Sequence, residues 1–299
     1  MPSRPRFRPA PGRCERGAGR ASTVLARALL AVALCMGAVP RAEAMCGGDP
    51  VRTVIPHKLN YALLGVHDAV APPDEDEARQ GYERDAWESK FQISLKFLFF
   101  DSIPLYLGYT QKSFWQVYNS EHSSPFRETN YNPEGFLDCQ GPLEALPEMG
   151  IRVGIEHESN GQTVERSRSW NRVYVWPRYV SSAGGWRAAL KYWERFPEQD
   201  KSDPREAEGD DNRRIDSYLG RFELYVEFLR WDPHELYLMV RKGTRDDSGT
   251  YDAIYLLRIG QGTGSGSLYG MLQFFSGYGE SLIDYDHRVE KLGFGFAFR

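Results

Sequence analysis

Along much of the chain apolar and polar residues alternate with a period of two, the spacing that separates the two faces of a β-strand. Phe91, Ile93, Leu95, Phe97 and Phe99 alternate with Gln92, Ser94 and Lys96, and Phe222, Leu224, Val226 and Phe228 with Arg221, Glu223, Tyr225 and Glu227. Near the C-terminus Leu292, Phe294, Phe296 and Phe298 alternate with Gly293, Gly295 and Ala297. The pattern predicts strands near 89–100, 104–118, 130–138, 149–159, 171–180, 186–195, 218–230, 235–242, 251–259, 266–276 and 289–298. A soluble sandwich would alternate in the same way, so the connections have to decide the class. They are short at 101–103, 181–185, 231–234 and 261–265, and longer or more polar at 119–129, 160–170, 196–217 and 277–288. The exceptions are a longer 139–148 connection on the short side and a modest 242–250 connection on the long side. Short turns on one side and long loops on the other mark an outer-membrane barrel. Eleven strands cannot close antiparallel, so Thr53–Leu64 is expected to supply a twelfth. The expected fold is all-β, a twelve-stranded antiparallel transmembrane β-barrel with both termini on the periplasmic side. Aromatic residues at strand ends, among them Tyr106, Tyr109, Trp115, Trp170, Tyr174 and Trp176, suit interfacial girdles.

The first 44 residues do not belong to this pattern. They hold eight Arg, no Lys and two Glu, then an apolar run from Ala28 to Val39, then Ala42-Glu43-Ala44. That order of basic, apolar and small residues reads as a secretory signal peptide, and the run is too short for a membrane span of about 20 residues. Three segments result: 1–44 as a cleaved signal peptide, 45–88 as an N-terminal segment with the first strand and a polar connector, and 89–299 as the rest of the barrel. The last 255 residues hold 29 Lys+Arg and 39 Asp+Glu, a net charge of −10, with no basic patch that would fit nucleic acid. They keep two cysteines, Cys46 and Cys139, in an oxidising compartment. The topology puts both on the periplasmic side, so one disulfide is expected between them.

The chemistry concentrates between Gly154 and Tyr174. Ile151, Val153, Ile155, His157 and Ser159 share one strand face, and Asn171, Val173 and Val175 share one face of the next strand. A His two residues from a Ser is common by chance, but an unpaired polar side chain facing hydrocarbon is costly, about 1–3 kcal/mol or more. A base, a nucleophile and an amide joined by one hairpin make a Ser-His-Asn hydrolase arrangement on the oily face.

The run His157, Ser159, Asn160, Gly161, followed by Ser167, Arg168, Ser169, Trp170, Asn171 and Arg172, closely resembles the signature of the outer-membrane phospholipase A family. The blocks 109–116, 119–131 and 276–285 also resemble that family. The resemblance implies a calcium-dependent phospholipase of the bacterial outer membrane. It would act on phospholipids and lysophospholipids with combined A1 and A2 activity, as a homodimer. It implies Ser159 as nucleophile, His157 as base, Asn171 as the group that orients His157, and the Gly161 N–H as an oxyanion donor. Its calcium positions match the Ser167 side chain and the Gln162 carbonyl, with Ser123 of the partner subunit completing the site, and its dimer interface matches Gln111. An Arg is usual where Gln162 stands, which a backbone ligand tolerates. Two departures are Arg299 in place of a terminal aromatic and the 139–148 connection. The rival readings are a catalytically idle pore or structural barrel and a lipid acyltransferase using the same nucleophile.

Overall fold

The protein was studied as a computed structural model, which describes residues 53–70, 82–100, 103–141, 148–164, 166–203, 206, 208–261 and 266–299. The segment 1–44 expected as a signal peptide and Cys46, with its expected bond to Cys139, lie outside the described residues. Thirteen strands follow in order: β1 (Val54–Pro56), β2 (Asn60–Asp68), β3 (Trp87–Leu98), β4 (Leu105–Trp115), β5 (Phe126–Gln140), β6 (Met149–Ser159) and β7 (Ser169–Val180). After them come β8 (Trp186–Arg195), a short helix α1 (Ile215–Leu219), β9 (Phe222–Trp231), β10 (His234–Lys242), β11 (Gly249–Gln261), β12 (Ser267–Gly277) and β13 (Val289–Phe298). From β2 onward each strand pairs antiparallel with the next, and β13 pairs with β2 to close the sheet. β1 and β2 both pair with β3 and occupy one place in the wall, which gives twelve places.

The solvent that faces this sheet is legible from burial. Ile93, Leu107, Ile155, Leu224, Leu272, Phe274, Leu292 and Phe298 are exposed, while Lys90, Asn130, Glu134, Arg152, Glu156, Lys191, Glu223, Arg241 and Lys291 are buried. A water-soluble sandwich would place these sets the other way round. Apolar outside and charged inside is the arrangement of a barrel whose outer surface meets lipid. Closure gives every strand from β2 to β13 a neighbour on both sides, which spares them the unpaired backbone edge that hydrocarbon would not tolerate.

Two expected elements are redrawn. The strand expected over 53–64 is broken after Pro56, whose ring nitrogen cannot donate to the ladder. At the break the side chain of Asn60 stands in for backbone: its Oδ1 accepts from Ser94 N at 2.6 Å and its Nδ2 donates to Ser94 O at 3.2 Å. The strand expected from 218 begins instead at Phe222, because Ile215–Leu219 turns as a helix that buries Ile215, Tyr218 and Leu219. Tyr218 packs on Tyr278 and Tyr285 and closes the loop end of the barrel with an aromatic cluster. β5 also reaches further than expected at both ends.

Inside, ion pairs tie β3, β5 and β13 to the loop between β12 and β13. Lys90 and Lys291 each lie 2.7 Å from Glu280, Lys291 also lies 2.7 Å from Glu88, and Glu88 meets Arg127 at 2.9 Å. Arg127, fully buried, continues the chain to Asp284. Removing one member of such a set strands its partners in low dielectric. Arg127→Ala is therefore expected to destabilise the barrel by about 3–5 kcal/mol. Urea unfolding in lipid vesicles, followed by tryptophan fluorescence, measures this, and a change below about 1 kcal/mol would mean that Lys291 and Arg84 compensate Glu88 and Asp284 unaided.

Candidate active site

The β6–β7 hairpin builds the site through its register. His157 pairs directly with Asn171, and Ser159 pairs with Ser169. Residues of a strand alternate between faces, so His157 and Ser159 point the same way as Ile155, which is 59% exposed on the outer surface. The inward residues between them, Glu156 and Glu158, bind the interior cations Lys191 and Arg172. His157 Nδ1 and Asn171 Oδ1 are 2.9 Å apart. With the Asn171 carbonyl end turned toward it, Nδ1 carries the proton and Nε2 is left as the free base. Among the described residues no hydrogen bond joins Ser159 Oγ to His157. Asn132 Nδ2 donates to the His157 carbonyl at 2.9 Å and ties the base to β5.

The loop that follows Ser159 is held by one buried amide. Asn160 Oδ1 accepts from Arg168 N at 2.9 Å and Gln162 N at 3.4 Å, and Asn160 Nδ2 donates to Arg166 O at 2.9 Å and Glu128 Oε2 at 3.3 Å. Glu128 in turn takes the Asn130 side chain at 2.6 Å and the Ile283 N–H at 3.2 Å, which connects the site loop to the β12–β13 loop. Gly161 adopts φ +62°, and a Cβ there would sit 3.3 Å from the Tyr131 ring. Glycine meets both demands, and no acceptor among the described residues takes its N–H. That donor, two residues after Ser159, is open to a developing oxyanion.

The expected calcium positions are only in part together. Gln162 and Ser167 lie in one loop, while Ser123, in left-handed conformation at φ 62°, lies in the β4–β5 loop. Ser167 Oγ donates to Asp211 Oδ2 at 2.7 Å, and Lys201 binds the other oxygen of that carboxylate. A hydroxyl, a carbonyl and a carboxylate are the hard oxygen donors that calcium takes, so these residues fit the ion. No group of three His, Cys, Asp or Glu side chains that could hold a metal ion gathers among the described residues.

Gln111 lies on the outer face of β4, opposite Ile93 on one side and Tyr131 on the other. Its Oε1 accepts from Tyr109 OH at 3.0 Å and its Nε2 donates to Ser113 Oγ at 3.2 Å. Tyr131 pairs onward with Ser159, so Gln111, Tyr131, Ser159 and Ser169 form one row across four strands. Two strand spacings, about 10 Å, separate Gln111 from the nucleophile position.

A family profile for phospholipase A1 matches residues 49–298. The chain belongs to the phospholipase A1 family. Phospholipase A1 of Escherichia coli K12 is 35% identical over 256 residues, covering 81% of this chain and 80% of that protein. A putative phospholipase A1 of Neisseria meningitidis is 35% identical over 222 residues, 71% of this chain, which spans about half of that relative's length, 54%. Among solved structures, E. coli outer membrane phospholipase A superposes with TM-score 0.68 at 31% identity, covering 83% of this chain and 98% of that one. A Salmonella typhi outer membrane phospholipase, described as a dimer with bound calcium, matches with TM-score 0.68 at 29% identity, over 83% and 92% of the two chains. The closed barrel and these relatives make the chain a phospholipase of the bacterial outer membrane.

Sequence reasoning named His157, Ser159, Asn171 and the calcium positions, of which the structure joins His157 to Asn171 and puts Gln162 and Ser167 in one loop; it missed Asn160 as the loop's anchor and Asp211 as the partner of Ser167. The Asn160 signal was present, since a polar residue directly after the nucleophile belongs to the inward face, where an amide needs partners. Asn160→Ala removes them all and leaves the Arg168 N–H and the Arg166 carbonyl unpaired, about 1–3 kcal/mol each if they stay dry. Limited proteolysis of folded protein is expected to cut that variant within 160–168 at least tenfold faster than the parent, with the barrel fragments still associated.

Proposed function

We propose that the protein hydrolyses the sn-1 and sn-2 acyl esters of phospholipids and lysophospholipids by a Ser159-His157-Asn171 triad, with calcium at the oxyanion site and in a dimeric state. The observation that carries the reading is the 2.9 Å contact between His157 Nδ1 and Asn171 Oδ1 on the same outward face as Ser159. Triad geometry facing lipid is costly to keep unless it acts there. A solved structure of an asparagine-to-alanine active-site mutant of E. coli outer membrane phospholipase A, 28% identical to this chain, agrees with an amide in such a site.

In this mechanism Ser159 Oγ attacks the ester carbonyl while His157 Nε2 takes its proton. The charge that develops on the imidazole is met at Nδ1–H by the Asn171 carbonyl, which accepts a bond without bringing a formal charge to the lipid boundary. His157 then returns the proton to the departing glycerol oxygen, and water releases the acyl group by the reverse sequence. The Gly161 N–H donates to the carbonyl oxygen as negative charge gathers on it. Calcium, when bound, adds positive charge near that oxygen. The Gln162 carbonyl, Ser167 Oγ and Asp211 would hold it, with Ser123 of the partner subunit. An amide at this triad position lacks the negative charge of Asp, which gives the ion a reason to be needed.

Ser159→Ala and His157→Ala are each expected to lower phospholipid hydrolysis in mixed micelles by about 10⁴-fold or more, while Asn171→Ala leaves measurable turnover. EDTA is expected to abolish parental activity and excess calcium to restore it. A Ser159→Ala protein that folds and keeps the parental rate excludes the nucleophile assignment, and full activity in EDTA excludes the ion.

The row from Gln111 to Ser159 supports a two-fold contact on this face, since an amide directed at hydrocarbon gains about 0.6–2 kcal/mol by pairing with a counterpart. Gln111→Ala should lower the dimer fraction, measured by sedimentation in detergent with calcium and sulfonylated Ser159, and lower activity in proportion. Unchanged dimerisation removes Gln111 from the contact, with Tyr109 and Ser113 then its full set of partners.

A further inference from the structure

An asparagine that serves a histidine faces a problem that an aspartate does not. Its two ends are nearly the same size, and only the carbonyl end can accept the imidazole N–H, while the flipped amide opposes one donor with another. A single bond from His157 does not settle the choice, because a neutral imidazole exchanges donor and acceptor when it changes tautomer. Whatever contacts the far end of Asn171 therefore selects the working state of the triad.

That contact comes from the long loop after β8. Phe196 N donates to the Asn171 backbone carbonyl at 2.9 Å, and Asn212 Nδ2 donates to the Ser169 carbonyl at 2.7 Å, so both ends of the loop grip β7 beside the site. Two residues past Phe196, the half-buried Glu198 accepts from Asn171 Nδ2 with Oε1 at 3.4 Å. An ionised carboxylate only accepts, so it tolerates the NH₂ end of Asn171 and repels the carbonyl end. Around Glu198, Arg195 supplies positive charge, and Asp210 and Asp211 add negative charge. Burial lifts the Glu198 carboxyl above its ordinary value, with Arg195 and the Asn171 bond opposing the rise. Arg195 is itself fixed by Asp210 and by the Asn212 carbonyl at 3.0 Å. At 3.4 Å the bond is long, as hydrogen bonds in unliganded sites often are.

We propose that Glu198 is a positioning residue of this enzyme, whose carboxylate holds the Asn171 amide with its carbonyl toward His157. The proposal rests on the triad reading. It gives the acidic 196–214 loop a task in the reaction: it delivers the acceptor that the hairpin lacks.

The test uses full-length protein in mixed micelles with calcium. It compares Glu198→Ala and Glu198→Gln in the parental background and Glu198→Ala in an Asn171→Ala background. Glu198→Ala is expected to lower kcat about tenfold at unchanged KM, the scale of one charge-assisted hydrogen bond. Glu198→Gln, which keeps an acceptor oxygen, should stay within about threefold of the parent. In the Asn171→Ala background Glu198→Ala should change kcat less than about twofold, because the residue acts through the missing amide. A parental kcat in Glu198→Ala, the same loss in both backgrounds, or a Gln variant no better than the Ala variant would each overturn the proposal. The triad reading fails separately, if Asn171→Ala alone hydrolyses phospholipid at the parental rate.

Discussion

The register of the β6–β7 hairpin governs everything that happens at this site. With His157 opposite Asn171, the base and its amide meet on the outer surface and Glu156 and Glu158 meet cations in the lumen. A slip of one residue would exchange the faces, putting two carboxylates into lipid and the triad into the ion-paired interior. The interior network therefore does more than fill space. Arg172, which pairs with Glu156 and Glu158 and lies 3.7 Å above the Trp170 ring, opposes any such slip.

Held in this register, the proposed triad lies on a surface rather than in a pocket. Ser159 lies on a wall, in line with Tyr131 and Gln111, and a substrate held by that wall alone would meet only one side of the site. A second barrel on the same face would supply the other side. The loops then divide the remaining work. The 160–168 loop brings the Gly161 N–H and the Gln162 and Ser167 oxygens, the 196–214 loop reaches Asn171 and Ser167, and the β12–β13 loop steadies Glu128 from behind.

Much of this was legible along the sequence because strands carry their faces in their period. The barrel class followed from alternation and loop lengths, and His157, Ser159 and Asn171 stood out because polar residues continued apolar stripes. Other parts left no periodic trace. Alternation reads straight through Pro56, so the break between β1 and β2 shows only where Asn60 replaces backbone bonds to Ser94. The five residues of α1 are too few for a helical period, and Tyr218 and Leu219 merge with the strand pattern that follows. Asp211 and Glu198 sit among acidic residues of a loop that reads as solvated, and their partners Ser167 and Asn171 are distant in sequence.

The bond from Ile283 N to Glu128 has a temporal meaning as well. Glu128 holds Asn160, and Asn160 holds the loop of the oxyanion donor, yet Ile283 belongs to the last loop of the chain, just before the strand that closes the wall against β2. A barrel that lacks only its final hairpin already contains Ser159 and His157, but the contact from Ile283 that supports Glu128 behind the neighbouring loop is missing. On the proposed mechanism, the last strand to pair therefore also completes the support of the loop beside Ser159.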